Sequence, residues 1–358
     1  MEFAGVGPAP FAGMLLADLG ADVLRIDRPG GPETFPVPNS PIDRGRRSLV
    51  LDLKRVESIE LCLRIAAKAD VLIEGFRPGV MERLGLGPEA ALNRNPRLIY
   101  GRMTGWGQDG PMAQAAGHDL TYLALSGALA AIGPADAPPV PPLNLIGDMG
   151  GGGAYLVIGV LAALVERQQS GKGQVIDAAI VDGVASQLAL ILGLRSGGLW
   201  PNPRGRNFLD GGAPFYRCYR CANGKFVAVG AIEPKFYRAF LQGLGLDIAG
   251  GLSKQYDQQS WPDLHREFEA IFLTKSRDEW STTFEYLDAC VAPVLDWDEA
   301  PMHPHNLARQ TYLCQAKEIA PAPAPRFSRS ELAAGEAATI GRGGYDALKD
   351  WGVAFSED

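Results

Sequence analysis

The sequence lacks an excess of positive charge: 34 Lys and Arg stand against 41 Asp and Glu, a formal net charge of −7. Nucleic acid is therefore not expected as the main partner, because phosphate backbones require net or locally dense positive charge. The five cysteines have no regular spacing, which argues against a disulfide framework and for a reducing compartment. Cys218 and Cys221 form one isolated C-x-x-C without a second ligand pair, so no metal site is predicted.

Long apolar runs are also missing. The longest, residues 154–165, ends at Glu166 and Arg167 and is shorter than the roughly 20 residues that cross a bilayer. We therefore expect a buried helix there and no membrane span. The N-terminus has no signal-peptide pattern and the C-terminus no peroxisomal tripeptide, which together predict a cytoplasmic protein.

The first hundred residues alternate short β-branched runs with helical patterns, which is typical of a parallel sheet flanked by helices. The pattern predicts strands at residues 23–26, 71–73 and 98–100, and a helix over residues 8–19. A glycine-rich turn at residues 5–10 imitates a dinucleotide fingerprint, but Pro10 occupies the third glycine position, so nicotinamide binding is not predicted. The fold class predicted here is α/β with a Rossmann-like large domain.

From about residue 201 the pattern changes. Two alternating runs meet at Asn223 and Gly224, a strong hairpin signal, and Ser276 with Glu279 forms a capping box at a later helix start. These features predict a smaller α+β domain. The expected organisation is a large domain over residues 1–200, a small domain over 201–320, and a C-terminal segment, 321–358, that returns to the large domain.

Three residues are candidates for proton transfer. His118 lies near a predicted helix N-terminus, where a histidine can exchange a proton near neutral pH, although a capping role explains it equally well. Asp148 precedes an apolar helix and is followed by four glycines; a plain N-cap is the simpler explanation, but the glycines suggest space for a substrate. Glu233 begins another helix and could orient a histidine.

Positive charge concentrates in the first domain despite the acidic average. Several of these side chains follow strand ends, the edge at which open α/β sheets bind ligands, and guanidinium groups suit phosphate. Any single one could be ordinary surface charge. As a group they predict a phosphate-binding cluster: Arg28, Arg44, Arg46, Arg47, Lys54, Arg77 and Arg83.

Four ordered motifs resemble one known group, the family III CoA-transferase superfamily, over nearly the whole chain. The motifs are GADVLRID (residues 20–27), GFRPG (75–79), AGHD (116–119) and GKGQ (171–174). The resemblance implies two interlocked ring-like subunits, a homodimer whose sites combine both chains, so that Glu233 could reach His118. It also implies no separate cofactor, because acyl-CoA is the substrate. The CoA-binding residues it implies are Arg28, Leu51, Asp52, Leu53, Lys54, Gly75, Phe76, Arg77, Arg83, Gly117, Asp119, Leu120, Thr121 and Tyr122.

Transferases of this group resemble one another in using the aspartate at the Asp148 position as a nucleophile, usually without histidine at the His118 position. Having both residues favours a racemase of lipid and fatty acid metabolism. It would interconvert (2R)- and (2S)-2-methylacyl-CoA thioesters through an enolate, with His118 and Asp148 as the two acid/base groups. A CoA transferase using Asp148 as nucleophile is the main alternative, and a non-catalytic CoA-ester-binding protein is another. Leucine and isoleucine replace the methionines typical of the acyl surface at residues 187–192.

Overall fold

The computed structural model describes residues 1–31, 37, 40–315 and 318–355. Its strands are β1 (Glu2–Phe3), β2 (Val23–Asp27), β3 (Arg46–Val50), β4 (Val71–Glu74), β5 (Ile99–Thr104), β6 (Val175–Ala179), β7 (Tyr216–Arg220), β8 (Phe226–Gly230), β9 (Val291–Pro293), β10 (Tyr312–Gln315) and β11 (Glu318–Pro321). Its helices are α1 (Pro8–Asp18), α2 (Val56–Ala66), α3 (Val80–Arg83), α4 (Pro88–Arg94), α5 (Asp119–Ser126), α6 (Tyr155–Ser170), α7 (Ile180–Gln187), α8 (Ala189–Ser196), α9 (Pro234–Leu244), α10 (Ile248–Lys254), α11 (Trp261–Phe272), α12 (Arg277–Phe284), α13 (Pro304–Arg309) and α14 (Gly344–Asp350). A π-helical segment, Leu145–Ala154, runs directly into α6.

The chain divides into two compact units. Unit 1 contains residues 1–128, 142–189 and 310–358, and unit 2 contains residues 129–141 and 190–309. Unit 1 holds a six-stranded sheet in the order β3-β2-β1-β4-β5-β6, and every pair in it is parallel. This strand order is that of a Rossmann-like sheet. The predicted fold class and the three predicted strands are therefore confirmed.

Burial on both faces explains why these segments form a central sheet. Phe3, Leu24, Leu49, Leu72 and Tyr100 come from five successive positions of the sheet and are almost completely buried. Parallel strands covered on both faces read as near-continuous apolar runs. Because all six strands run in the same direction, their last residues lie along one edge of the sheet, which we call the carboxyl edge. The connections that leave the strands there position the candidate site.

The segment Leu145–Ser170 is the one stretch of the described residues long and apolar enough, by length and composition, to cross a bilayer. Its first ten residues include Asp148 and a run of glycines, and its α6 part buries Leu156, Val160 and Ala163. α6 packs against β5 and β6, and a helix that covers a sheet passes the same length test. The predicted buried helix is confirmed for this face only, because Ile158, Leu161 and Val165 are 43 to 62% exposed.

Unit 2 contains the antiparallel sheet β7-β8-β9. Arg220 pairs with Phe226 beside the turn at Asn223 and Gly224, so the predicted hairpin is confirmed. The predicted capping box is confirmed as well: the Ser276 backbone amide donates to Glu279 Oε2 at 2.8 Å. An aromatic core fixes the helices of this unit on its sheet, and its fully buried members include Phe215, Tyr237, Phe240, Phe268 and Phe272.

Candidate functional site

Connections from several strands meet at the carboxyl edge. Residues 5–7 follow the central strand β1, and residues 75–77 follow β4, which pairs with β1 on the other side from β2. The order of strands along the chain reverses at β1, and in open α/β sheets ligands bind in the crevice at this reversal. Arg28 follows β2 and residues 51–54 follow β3 at the same edge. The predicted CoA segments are thus brought to one edge of unit 1.

Asp148 lies in the π-helical segment and faces this edge. A Cβ atom added to Gly7, which has φ +74°, would lie 3.1 Å from Asp148 Oδ2, so the carboxylate approaches the turn after β1. The chain enters the segment through Leu143, a non-glycine residue with φ 58°. Left-handed backbone and π-helical turns are both costly and concentrate at functional sites. The local backbone is therefore arranged to present Asp148.

The surroundings of Asp148 favour its neutral form. Burial raises the pKa of the Asp148 carboxyl, and the negative charge of Asp119 raises it further. A hydrogen bond from Asn144 Nδ2, at 3.5 Å from Oδ2, and the charge of His118 act in the opposite direction. A carboxyl with a raised pKa is suited to accept and return a proton.

His118 is the residue before α5, and its backbone is fixed there. Its amide donates to Thr121 Oγ1 at 3.0 Å, and the Thr121 hydroxyl donates back to the His118 carbonyl at 2.7 Å. The residue itself is exposed. The charge of His118 lowers the pKa of Asp148, so His118 lies within electrostatic reach of the Asp148 carboxyl in unit 1.

Tyr122 packs beside these residues with Trp106. The two rings meet edge to face, with centroids 4.7 Å apart. A Cβ at Gly117 would lie 2.6 Å from the Tyr122 ring, and one at Gly105 would overlap it. The glycines around residue 105 and at 117 therefore make room for an aromatic ring. Burial and Asp148 raise the pKa of the Tyr122 hydroxyl, while Arg77 lowers it, which places Tyr122 within the electrostatic reach of both groups.

The predicted CoA segments contribute mainly backbone to the edge. Leu51, Leu53 and Phe76 pack against the core of unit 1, so their side chains anchor the segments. The Phe76 amide donates to the buried Glu74 at 2.7 Å, which fixes the turn before Arg77. Leu120 and Thr121 are exposed on the first turn of α5. The CoA contacts of all these residues stay predictions.

The predicted phosphate cluster is wrong for three of its arginines. Arg44 Nε donates to Asp18 at 2.9 Å and Arg46 Nε to Glu2 at 3.0 Å, and all four side chains are almost fully buried. Arg47 pairs with two carboxylates of unit 1. The sequence pattern could not reveal this, because the acidic partners are 26 to 44 residues away from Arg44 and Arg46.

The remaining basic candidates keep positions that suit a phosphate. Arg77 and Arg83 are exposed, and a Cβ at Gly79 would lie 3.1 Å from Arg83 Nη1, which places Arg83 beside the turn after β4. Arg28 Nε donates to the Gly31 carbonyl at 2.6 Å. Lys54 is exposed after β3. The predicted phosphate-binding cluster is therefore reduced to Arg28, Lys54, Arg77 and Arg83, which lie in the chain after β2, β3 and β4.

The glycine run after Asp148 does not leave space for a substrate. Gly151, Gly152 and Gly153 are buried, and a Cβ at Gly152 or Gly153 would lie 2.7 to 2.9 Å from atoms of Pro8 or Phe11. One at Gly151 would lie 2.9 Å from the Val184 backbone nitrogen. The glycines allow α1 and α7 to approach the π-helical segment closely, so the interpretation of this run as a substrate space is wrong.

Glu233 belongs to unit 2, where it precedes α9 as predicted, with Pro234 at the first helical position. Its role toward a histidine stays a prediction. The described residues contain no group of three or more His, Cys, Asp or Glu side chains that could hold a metal ion.

Sequence reasoning missed one residue of the site, Asn144, and predicted for another, Asp119, only a contact with CoA. Asn144 donates to Asp148, and its spacing of four residues before the aspartate on a helical segment was the available signal. Asp119 was predicted to contact CoA, but its Oδ1 accepts the backbone amide of Asp148 at 2.8 Å. That link joins two motifs 29 residues apart, and sequence spacing gives no sign of it.

Comparisons with known proteins assign the chain to a family. The sequence profile of CoA-transferase family III matches residues 1–334. The chain is 45% identical to the alpha-methylacyl-CoA racemase of Mus musculus, over 100% of this chain and 93% of the relative. It is 46% identical to that of Homo sapiens, over 91% and 84% of the two chains. The crystal structure of a CAIB/BAIF family protein from Brucella suis superposes with a TM-score of 0.84 at 24% identity, covering 98% of this chain and 97% of that chain; that likeness concerns the fold.

Proposed function

We propose that this chain, which belongs to CoA-transferase family III, is an isomerase that interconverts (2R)- and (2S)-2-methylacyl-CoA thioesters. The observation that carries the proposal is the position of Asp148, a half-buried carboxyl with a raised pKa at the carboxyl edge of the sheet, near enough to His118 for the charge of His118 to act on that pKa. The mouse and human relatives, 45% and 46% identical, are both named alpha-methylacyl-CoA racemase.

The reaction needs one base and one acid on opposite faces of the α-carbon. In one direction Asp148, as carboxylate, removes the α-proton; the C–H electron pair moves into an enolate whose negative charge lies on the thioester oxygen. Protonated His118 then donates a proton to the other face, and the carbonyl re-forms. In the reverse direction neutral His118 removes the proton and protonated Asp148 returns one. Proton count and charge balance in both directions.

The enolate oxygen requires hydrogen-bond donors. The start of α5 provides backbone amides beside His118, whereas the Gly147 and Asp148 amides of the π-helical segment already bond to the Asp119 carboxylate. Preorganised amides of this kind stabilise a developing oxyanion more effectively than water does. The same helix ends carry the positive ends of their dipoles.

The CoA part of the substrate would follow the carboxyl edge. Arg28, Lys54, Arg77 and Arg83 offer positive charge after successive strands, and guanidinium groups bind phosphate through paired hydrogen bonds. The charges of Arg77 and Asp148 both act on the Tyr122 hydroxyl, as expected of a residue near both the phosphates and the reacting carbon.

A CoA transferase is the second candidate, because the family includes that activity and Asp148 could act as a nucleophile. One experiment distinguishes the two functions: the protein is incubated with (2R)-2-methylacyl-CoA and a second carboxylic acid. A racemase converts the thioester to equal amounts of the two epimers and leaves the acid free. A transferase gives the CoA thioester of the added acid with no epimerisation. The second result would overturn the proposal.

We also propose a homodimer, interlocked as in the family, in which Glu233 orients His118. Support for an association surface comes from one face of α6, where Ile158, Leu161 and Val165 are 43 to 62% exposed. Apolar side chains in a row at helical spacing are unusual on a monomer surface. Sedimentation should give a dimer that Leu161→Glu weakens, whereas Tyr286→Glu, at a side chain 90% exposed in unit 2, should leave it intact. A monomeric wild type would contradict the proposal.

A further inference from the structure

We propose that Asp119 is a positioning residue that holds the two acid/base groups together: it follows His118 directly, and its carboxylate accepts the backbone amide of Asp148. The inference rests on the proposed racemase function. It gives the Asp119 side chain a role different from the CoA contact that the family resemblance implied.

The contacts of Asp119 are directed at the segment that carries Asp148. Its Oδ1 accepts the Asp148 amide at 2.8 Å, and a hydrogen bond from the Gly147 backbone to the Asp119 carboxyl lowers its pKa. The first amides of a helical segment have no partner within it, and Asn144 offers no side-chain cap to them. Gly147 packs directly against the Asp119 carboxylate, because a Cβ added to Gly147 would overlap Asp119 Oδ1. The Asp119 carboxylate therefore serves as the cap of the π-helical segment from a different element.

The start of α5, which carries Asp119 and follows His118, is also held in place. Asp119 is the first residue of α5, and the preceding His118 is held by reciprocal hydrogen bonds with Thr121 at 3.0 and 2.7 Å. Leu123, on the next turn, is fully buried. A shift of Asp148 relative to His118 would have to break the Asp119 hydrogen bonds or move the start of α5. Proton transfer is sensitive to displacements of about 1 Å, so this link matters for turnover.

Asp119 also acts on Asp148 through its charge. The groups that face the Asp148 carboxyl are Asp119, His118, Asn144 and Tyr122. Burial is the main cause of its raised pKa, and Asp119 is the charged neighbour that adds to it. Burial raises the pKa of Asp119 as well, against the two amides it accepts. Loss of the Asp119 charge should therefore lower the pKa of Asp148.

Two variants separate geometry from charge. Asp119→Asn keeps an oxygen that accepts the Asp148 amide but removes the charge; kcat should fall about tenfold, and the acid limb of kcat/KM should move to lower pH, because Asp148 then loses its proton more easily. Asp119→Ala removes both, and kcat should fall about 100-fold with little change in KM. Asp177→Asn is the matched control: Asp177 also accepts a backbone amide, from Gln108 at 2.9 Å, and burial raises its pKa. It should behave as wild type.

The outcomes are distinguishable from failure of the function itself. If wild type does not epimerise 2-methylacyl-CoA, the proposed function is wrong and the inference falls with it. If wild type is active and Asp119→Asn keeps both its kcat and its acid limb, the positioning role is wrong. A large rise in KM with an unmoved acid limb would also overturn it, since that would indicate a substrate contact. If Asp119→Ala does not fold, the acid limb of the kcat/KM profile of Asp119→Asn still tests the positioning role.

Discussion

Two pairs of carboxylates in unit 1, one buried and one half-buried, differ in the groups that contact them. Under the sheet edge, Asp18 and Glu2 each receive a buried guanidinium, from Arg44 and Arg46, whose own hydrogen bonds are directed at protein atoms. At the carboxyl edge, Asp148 and Asp119 are surrounded by amides and by each other, and the pKa of each carboxyl is raised.

The difference separates carboxylates that stabilise the fold from carboxylates that can take part in proton transfer. A carboxylate matched by a buried guanidinium stabilises the fold only while the pair is intact. Burial raises the pKa of Glu2 as well, against the charge of Arg46, so the two sets differ in their partners and not in the direction of that shift. A carboxylate without such a partner can exchange its proton at a moderate pH. By this comparison Asp148 is available for catalysis, whereas Asp18 and Glu2 are not.

The largest expected effect is loss of a structural pair. Arg46→Met leaves Glu2 buried without a partner, and the free energy of unfolding should fall by about 3–5 kcal/mol. Urea unfolding is the measurement. The double variant Glu2→Gln with Arg46→Met should recover part of the loss, since no charge is then stranded. Arg77→Met, an exposed side chain, should change stability by less than about 0.5 kcal/mol; equal losses for Arg46 and Arg77 would break the comparison.

The next effect concerns the site alone. Gly147→Ala would place a methyl group on Asp119 Oδ1, displace the segment that carries Asp148 and reduce kcat about 100-fold. Initial rates of epimerisation measure it. Gly193→Ala is the control, because no atom lies within 4 Å of its added Cβ and the residue is exposed on α8. Activity should be unchanged there, and stability should rise by about 0.5–1 kcal/mol.

A smaller effect is expected for phosphate binding. Arg77→Met should weaken CoA binding about tenfold, or about 1.4 kcal/mol, and reduce its dependence on salt. Titration calorimetry at two ionic strengths measures both quantities. Arg94→Met removes an exposed arginine that is paired with Glu60 on α2, and it should leave CoA affinity unchanged. Equal affinities for the Arg77 and Arg94 variants would remove Arg77 from the predicted CoA site.

The smallest expected effect is on the pH dependence of stability. Its sign should differ between a carboxyl with a raised pKa and one with a lowered pKa. The pKa of Asp148 is raised, so stability should fall as pH rises from the ordinary aspartate value, about 3.9, through the raised one. Asp148→Asn abolishes that fall and should increase the melting temperature at pH 7. Asp257 is the opposite case: the Ser260 hydroxyl lowers its pKa, so Asp257→Asn should decrease the melting temperature. Thermal scans at pH 4 and pH 7 test both signs.

Local patterns allowed much of the fold to be predicted. The strands around Val23, Val71 and Ile99, the hairpin at Gly224 and the capping box at Ser276 all depend on neighbouring residues, and each is confirmed. Their signals are periodicity and turn chemistry, which a single sequence contains.

Long-range contacts could not be predicted in the same way. Arg44 and Arg46 follow no pattern that distinguishes a buried ion pair from a phosphate ligand, since Asp18 and Glu2 are brought to them by the sheet. The glycines after Asp148 face neighbouring helices, a packing requirement that looks the same in sequence as room for a substrate. The link from Asp119 to Asp148 likewise exists only in the folded chain.

The most direct test of the account is α-proton exchange of (2R)-2-methylacyl-CoA in deuterium oxide, followed by NMR for wild type, His118→Ala and Asp148→Ala. The account predicts deuterium at the α-carbon with epimerisation in wild type, and a loss of about 10²–10⁴-fold in each variant, the range of general acid–base contributions. Absence of exchange in wild type, with CoA transfer to an added acid that requires Asp148 but not His118, would contradict it.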